Sequence, residues 1–236
     1  TPTDKVLEVG PGLGPLTELL LAKAGEVLAI EMDRRLVDFL REKYRAAKNL
    51  NLQHDDALAY LRKEQTDWSG WKLVANLPYS VASPLLVELA EANASPQKIV
   101  TTLQLEVANR IVACAGDDDY GILSLLMQLR FEPQSSFKIP AACFFPEPDV
   151  DSACIVLNRR SIPLLSAEDS KLFKKIVKRA FSQRRKMMLK LLKQDWPKEK
   201  LESAFAGIKI SPQERAEQVS LEQFVALTLF LKPIIA

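Results

Sequence analysis

The fold is decided by the stretch KVLEVGPGLG at residues 5–14. Residues 5–9 have the apolar composition of a buried strand, and glycines follow at positions 10, 12 and 14. Residues 18–23 then have a helical pattern, so the stretch predicts a strand, a glycine-rich turn and a helix, where a ligand can approach the backbone closely. The GxGxG spacing, followed by Pro15, departs from the GxGxxG dinucleotide fingerprint, which makes a nicotinamide cofactor less favoured.

The same order of strand and then helix repeats as far as residue 115. Further strands are predicted at residues 26–30, 49–53, 73–75 and 98–103. Such repetition indicates a parallel, doubly wound α/β sheet. Beyond residue 119 the pattern changes to a helix, an extended segment and a returning strand, predicted at residues 121–129, 130–139 and 153–157. We expect the returning strand to run antiparallel beside the parallel set.

Composition limits the kinds of protein that this chain can be. The 236 residues are 47% hydrophobic and 26% charged, as in ordinary soluble globular proteins. No apolar run reaches the ~18 residues of a membrane span, so we expect no membrane association. Three cysteines without CxxC spacing favour a reducing, cytoplasmic setting. One histidine, His54, makes a histidine-based triad or metal centre improbable, and no metal is predicted.

Charge is distributed unevenly along the chain. Residues 1–158 contain 15 Lys and Arg residues and 22 Asp and Glu residues, a net charge of −7. Residues 159–200 contain 14 Lys and Arg residues and 4 Asp and Glu residues, a net charge of +10. This basic segment begins a helical region in which residues 182–186 are predicted to start a new helix. An acidic body joined to a basic segment favours a polyanionic partner, although a solvated helix face is the alternative.

Acidic residues follow the second and third strands. Glu31 lies 21 positions after Gly10, near the offset of about 20 residues at which an acid meets ribose hydroxyls, which favours an adenosine-containing cofactor. The alternative is that Glu31 and Asp33 cap the next helix. Asp55 and Asp56 are candidates for a helix cap, for a metal site or for accepting hydrogen bonds from an adenine amine, and metal is the weakest of these choices.

Two further stretches complete the set of candidates. NLPY, residues 76–79, follows the fourth strand; alone it is equally well explained as a turn. In FFPEPDVDS, residues 144–152, two prolines force an extended loop with aromatic rings beside it. Such a ring can stack on a base, or it can seal the edge of the sheet. Polar candidates at four successive strand ends are a much stronger signal than one.

Together these stretches resemble the S-adenosylmethionine-dependent rRNA adenine N6-dimethyltransferases, most closely their bacterial small-subunit branch. The matching stretches are residues 6–14 (VLEVGPGLG), 30–33 (IEMD), 56–57 (DA), 76–79 (NLPY), 144–152 (FxPxPxVDS) and 180–186 (AFSQRRK). Many methyltransferases share the glycine loop, whereas its combination with NLPY and FxPxPxVDS is specific. The resemblance implies a Rossmann-like class I methyltransferase sheet, mostly parallel with one antiparallel strand, and a small C-terminal all-helical domain.

The resemblance also implies a cofactor, S-adenosylmethionine, and residues that bind it. The glycine loop would face its methionine end, Glu31 would hold its ribose, and Asp56 would bind its adenine amine. The implied cofactor-binding residues are Gly10, Gly12, Glu31, Met32, Asp56, Ala57 and Asn76.

The implied catalytic residues are Asn76, Leu77, Pro78, Tyr79 and Phe144. The Asn76 side-chain oxygen and a Leu77–Pro78 carbonyl would accept the hydrogens of a target adenine amine. Tyr79 and Phe144 would stack the extruded base.

For the whole chain, the resemblance implies dimethylation of two adjacent adenines near the 3′ end of 16S small-subunit rRNA, in an immature 30S subunit, with a role in small-subunit biogenesis. Residues 1–160 would be the catalytic domain and residues 161–236 an RNA-binding domain that uses Arg184, Arg185 and Lys186. We expect a monomer.

Some positions depart from the family pattern. Asp149, Leu105 and Ile122 stand where the family commonly has basic residues, which removes positive charge near the expected RNA face. The family also has a QNFL-like motif upstream of the first strand, and the sequence begins after it. We therefore expect an upstream segment that helps to cover the cofactor.

Two alternatives stay open at this point. One is a 23S rRNA adenine methylase of the macrolide-resistance type, although Leu77, Asp151 and residues 182–186 favour the small-subunit branch. The other is a non-catalytic RNA-binding factor in ribosome assembly. Asn76, Tyr79 and Glu31 argue against lost catalysis.

Overall fold

The computed structural model describes residues 1–63 and 66–232. The strands are β1 (Lys5–Val9), β2 (Glu26–Glu31), β3 (Leu50–His54), β4 (Trp71–Asn76), β5 (Lys98–Gln104), β6 (Phe131–Ile139) and β7 (Ser152–Arg159). The helices are α1 (Pro15–Leu21), α2 (Arg34–Lys43), α3 (Ala57–Lys63), α4 (Ala82–Glu91), α5 (Leu105–Val112), α6 (Ile122–Arg130), α7 (Ala167–Ala180), α8 (Met188–Leu192), α9 (Lys198–Gly207) and α10 (Leu221–Leu231). Short 3-10 turns lie at Ala141–Cys143 and Ala216–Gln218.

One sheet contains the seven strands of the described residues, in the order β3-β2-β1-β4-β5-β7-β6. Strands β1 to β5 pair in parallel. β7 pairs antiparallel with both β5 and β6, so it alone runs against the others. The predicted mostly parallel sheet with one antiparallel strand is therefore confirmed.

The centre of this sheet is β1, which pairs with β2 on one side and β4 on the other. Four of its five residues are buried, and Leu7 has no exposed surface. The strand order reverses at this point: β2 and β3 lie on one side of β1, and β4 and β5 lie on the other. In an open α/β sheet, ligands bind outside the carboxyl ends of the strands at such a point. The loops after β1 and β4 leave this edge next to each other.

The chain divides into two compact units. The sheet unit contains Thr1–Ala108 and Phe131–Arg160, and the helical unit contains Asn109–Arg130 and the segment from Ser161 onward. The prediction placed residues 109–130 in the first domain. They belong to the helical unit because α6 packs against α7 and α10. The Tyr120 hydroxyl also donates to the Val219 carbonyl oxygen at 2.9 Å, within this unit.

The predicted helix start at residues 182–186 is wrong. These five residues are exposed turns and bends, and α8 begins at Met188. The physical reason is amphipathicity: SQRRK contributes no apolar side chain to a core, whereas Met188 is completely buried. The Ser182 hydroxyl instead donates to the Arg179 carbonyl oxygen at 2.8 Å, at the end of α7.

Within residues 1–63 and 66–232, no helix has both the length and the apolar composition needed to cross a membrane.

Candidate active site

The glycine loop after β1 is fixed at its ends and open in the middle. The Gly10 amide donates to the Ile30 carbonyl oxygen at 3.0 Å, which ties the loop to β2. At the other end, the Tyr44 hydroxyl donates to the Gly14 carbonyl oxygen at 2.6 Å. Gly12 has a φ of 60°, and a Cβ built there would have no neighbour within 4 Å. The loop therefore offers backbone, without side chains, to any molecule at this edge.

Gly10 brings the loops after β1 and β4 together. Its φ is 68°, and a Cβ at this position would lie 3.1 Å from Pro78 Cγ and 3.3 Å from Pro78 Cδ. Those distances are tighter than ordinary van der Waals contact. Pro78 can approach this closely only because residue 10 has no side chain. The glycine loop and the NLPY loop, predicted separately from sequence, thus form one surface.

Each residue of the NLPY loop has a different environment. Asn76 is exposed at the end of β4, whereas Leu77 is buried and its amide donates to the Thr102 carbonyl oxygen at 3.3 Å. The Pro78 carbonyl oxygen accepts from the Val81 amide at 3.1 Å, which leads into α4. The Tyr79 hydroxyl is 2.6 Å from the hydroxyl of Ser152, a fully buried residue at the start of β7. Leu77 thus anchors the loop and leaves the Asn76 amide free to meet solvent or ligand.

The aromatic loop meets NLPY in a cavity of about 270 Å³. Its lining residues are Asn76, Leu77, Pro78, Tyr79, Phe144, Phe145, Pro146 and Pro148. Phe144 is half-buried, while Phe145 is fully exposed and seals nothing. The structure thus joins all five predicted catalytic residues around one opening.

Asp151 holds the aromatic loop in place. One carboxylate oxygen accepts from the Ala141 amide at 2.9 Å, and the other lies 2.6 Å from Lys138 Nζ. The Lys138 ammonium, aided by the Ala141 amide, lowers the pKa of Asp151. Asp149 is exposed on the same loop.

Glu31 is a buried acid at this edge, with 8% of its surface exposed. One carboxylate oxygen accepts from the Met32 and Asp33 amides at 2.8 and 2.9 Å, and the other accepts from the Gly12 amide at 3.2 Å. Asp33 is the N-cap of α2 and accepts from the Arg35 amide. Of the two residues considered as caps, Asp33 therefore caps the helix and Glu31 links β2 to the glycine loop. Met32 is 69% exposed beside it.

Asp56 caps α3, because one of its carboxylate oxygens accepts from the Ala59 amide at 2.7 Å. Ala57 is the first residue of that helix. Asp55 accepts from the Asp56 amide, and its own amide donates to the Glu31 carbonyl oxygen at 3.1 Å. The ends of β2 and β3 are thereby joined, which puts Asp56 at the same edge as Glu31.

Glu8 was not predicted as a site residue. It lies two residues before Gly10, is 1% exposed, and its Oε2 has no hydrogen-bond partner within the described residues. Burial raises the pKa of Glu8 to about 7, and the nearby Thr17 hydroxyl offsets part of this rise. The signal was present in the sequence, because a carboxylate in an otherwise apolar central strand is rarely buried without a function.

Arg184, Arg185 and Lys186 lie in the helical unit, all exposed. An Arg184 guanidinium nitrogen donates to the Asp118 carbonyl oxygen at 3.2 Å in the same unit.

Comparison with known proteins gives the family. Residues 1–232 match the family described as ribosomal RNA adenine dimethylase. The chain belongs to this family. The ribosomal RNA adenine dimethylase family uses S-adenosylmethionine, and its members are rRNA adenine dimethyltransferases.

Two relatives of this dimethylase carry the same description, ribosomal RNA small subunit methyltransferase A. The protein from Moorella thermoacetica is 37% identical, with 98% of this chain and 84% of the relative covered. The protein from Geobacter metallireducens is 36% identical, with 96% of this chain and 85% of the relative covered.

Two solved structures resemble this dimethylase with a TM-score of 0.74. The 23S rRNA methyltransferase ErmE is 28% identical, and the match covers 98% of this chain and 91% of that chain. A dimethyladenosine transferase from Plasmodium falciparum is 24% identical, and the match covers 96% of this chain and 89% of that chain. This second similarity supports the fold alone.

The buried Glu8 carboxyl should make the free energy of unfolding depend on pH. Because its pKa is raised from 4.5 to about 7 on folding, the folded state holds this proton more tightly. The stabilisation is complete below about pH 4.5 and is lost as pH rises through about 7. In Glu8→Gln that loss disappears, so at pH 8 the free energy of unfolding should exceed that of the wild type by about 1–3 kcal/mol.

Urea unfolding at pH 5 and pH 8, without added cofactor, measures this difference. The control is Glu18→Gln, the same change on an exposed position of α1. If Glu8→Gln and the wild type lost the same stability between the two pH values, the buried carboxyl would not be the titrating group.

Proposed function

We propose that this chain transfers methyl groups from S-adenosylmethionine to the N6 amines of two adjacent adenines near the 3′ end of 16S small-subunit rRNA, giving N6,N6-dimethyladenine. The observation that carries the proposal is the close approach of Gly10 and Pro78 at the carboxyl edge of the sheet. It supports a donor site on the glycine loop beside an acceptor site on the NLPY loop.

The residues at this edge fit S-adenosylmethionine. A carboxylate has about four lone-pair positions, and Glu31 uses three of them on backbone amides, which leaves one for a ribose hydroxyl. Asp56 would bind the cofactor's adenine amine with the acceptor positions that its helix cap leaves open. Gly10, Gly12, Met32 and Ala57 would complete the surface.

When bound, S-adenosylmethionine supplies a methyl group on a positively charged sulfur, which is a good leaving group. The task of the protein is to present the adenine amine, whose lone pair is delocalised into the ring. The Asn76 side-chain oxygen would accept one amine hydrogen. The Leu77–Pro78 backbone would accept the other, since the Pro78 carbonyl oxygen has a second lone pair besides the one that binds the Val81 amide. Both contacts favour a pyramidal nitrogen.

Tyr79 and Phe144 would hold the extruded adenine between them. The hydroxyl–hydroxyl contact between Tyr79 and the buried Ser152 restrains the tyrosine ring before a base arrives. Proximity and orientation then supply most of the rate acceleration. A strong general base is not needed beforehand if the proton leaves after methyl transfer.

Recognition of RNA would rest on the helical unit. Arg184, Arg185 and Lys186 are exposed and would bind phosphates, which gives affinity without reading sequence. We propose an immature 30S subunit as the substrate, which would give the protein a role in small-subunit biogenesis. The three free cysteines support a reducing cytoplasm as its location. We propose that it acts as a monomer.

The similarity to ErmE favours a second candidate, methylation of 23S rRNA. Two observations weigh against it. Identity to ErmE is 28%, against 36–37% for the two small-subunit relatives. The family resemblance of Leu77, Asp151 and residues 182–186 also favours the small-subunit branch.

Separated ribosomal subunits, prepared from cells that lack this methylation, distinguish the two candidates. With tritiated S-adenosylmethionine, the wild-type protein should label small-subunit RNA and leave large-subunit RNA unlabelled. Digestion of the product should yield N6,N6-dimethyladenosine. Labelling of large-subunit RNA alone would contradict the proposal.

Substitution of Asn76 tests the proposed chemistry. Asn76→Ala removes an acceptor for the amine, and kcat should fall by about 100-fold or more. RNA affinity should stay within about twofold, because the phosphate contacts are elsewhere. Asn93→Ala, at another exposed position of the sheet unit, is the control and should keep full activity. Equal activity of the two variants would rule out the amine-orienting role of Asn76. If the wild-type protein bound RNA but methylated neither subunit, a non-catalytic RNA-binding factor would be favoured.

A further inference from the structure

Helix α7 has one apolar side and one strongly basic side. Phe173, Ile176 and Val177 on the apolar side are completely buried. The basic side carries five cations, Lys171, Lys174, Lys175, Lys178 and Arg179. At 100° and 1.5 Å per residue, these five positions lie within an arc of about 140° and span about 12 Å of the helix. We call these five residues the α7 basic face.

The α7 basic face borders a shallow cavity of about 480 Å³, whose other lining residue is Asp195. Arg179 donates to the Asp195 carboxylate, and Lys175 Nζ lies 3.6 Å from it. The Lys175 ammonium also lies 5.0 Å from the centre of the Trp196 ring. Arg179 and Lys175 are thus the two cations of the face that are paired with Asp195. Lys171 and Lys178 are exposed, as is Lys175.

We propose that the α7 basic face is a second contact surface for the RNA backbone, separate in sequence from Arg184–Lys186. This inference rests on the proposed function, because it takes small-subunit rRNA as the ligand. The Lys171 and Lys178 ammonium groups would bind phosphates of structured RNA, and the other three cations of the face would add to its positive field. Lysines act there as point charges, so the surface supplies affinity and orientation rather than base recognition.

Charge and spacing both favour RNA. Among the six lining residues only Asp195 is acidic, and residues 159–200 carry a net charge of +10. The five cations span about 12 Å of the helix, which is the axial length of about three to four nucleotides of one nucleic-acid strand. An anionic membrane is a poorer fit, because the apolar side of α7 is buried in the helical core and has nothing left to insert.

The test is the double substitution Lys171→Gln with Lys178→Gln in the full chain. The matched control is Lys23→Gln with Lys48→Gln, two exposed lysines that precede β2 and β3 at the amino edge of the sheet. Both pairs change the net charge equally. Binding to protein-free small-subunit rRNA is measured between 50 and 200 mM salt, roughly the range over which phosphate contacts dominate.

For the α7 double variant, Kd should rise about 10-fold near 0.1 M salt, and the slope of log K against log salt should fall by about 1.5–2. The control pair should shift neither quantity appreciably. Thermal unfolding of both variants and kcat at saturating RNA should match the wild type.

Equal Kd and slope for the two double variants would overturn this inference, and methylation by the wild type would show that the proposed function still stands. If the wild type labelled neither subunit, the proposed function would fail, while the salt slopes would still decide the role of α7. Loss of affinity for intact 30S subunits, with unchanged affinity for protein-free RNA, would assign the α7 basic face to a ribosomal protein and refute the RNA assignment.

Discussion

The close approach between residue 10 and Pro78 is the constraint on which the active-site edge depends. A side chain at position 10 would press against the proline ring at 3.1 Å, and the backbone there has a φ of 68° that favours glycine. Because β1 and β4 are neighbours, the loops that follow them must share a small volume. Glycine on one loop and a rigid proline on the other let them share it without displacing Asn76.

Acidic residues at this edge have a structural role and leave acceptor positions open. Glu31 ties the glycine loop to β2, and Asp56 begins α3, yet each has acceptor capacity left over. A loop fixed in this way would need little reordering on binding the cofactor that we propose for this edge. Glu8 differs from both, since its Oε2 has no partner and burial disfavours its charged form.

Local sequence pattern predicted most of the sheet unit, because β1, β2 and β4 are short, mostly apolar and followed by turn residues. The predicted strand at residues 5–9 agrees with β1 at both ends. Pattern did not predict where α6 packs, because amphipathicity indicates that a helix has a core-facing side and leaves open which core it joins. The predicted helix start at residues 182–186 precedes α8, which begins at Met188, because SQRRK has no apolar side chain to bury.

The same limits apply to the site. Asn76, Tyr79 and Phe144 were predicted from motifs, and the cavity that joins them follows from sheet topology. The contact between Tyr79 and Ser152 spans 73 positions, and no local pattern signals it. Cofactor and RNA roles remain proposals for the individual residues, whereas membership of the dimethylase family is established for the chain.

The central claim is that an adenine amine meets the methyl donor between Asn76 and the rings of Tyr79 and Phe144. A crystal structure with S-adenosylhomocysteine and adenosine tests it most directly. We predict that the adenine of the adenosine stacks between the two rings with its N6 within hydrogen-bond distance of the Asn76 side-chain oxygen. An adenine bound away from both rings, with Asn76 contacting neither ligand, would contradict the account.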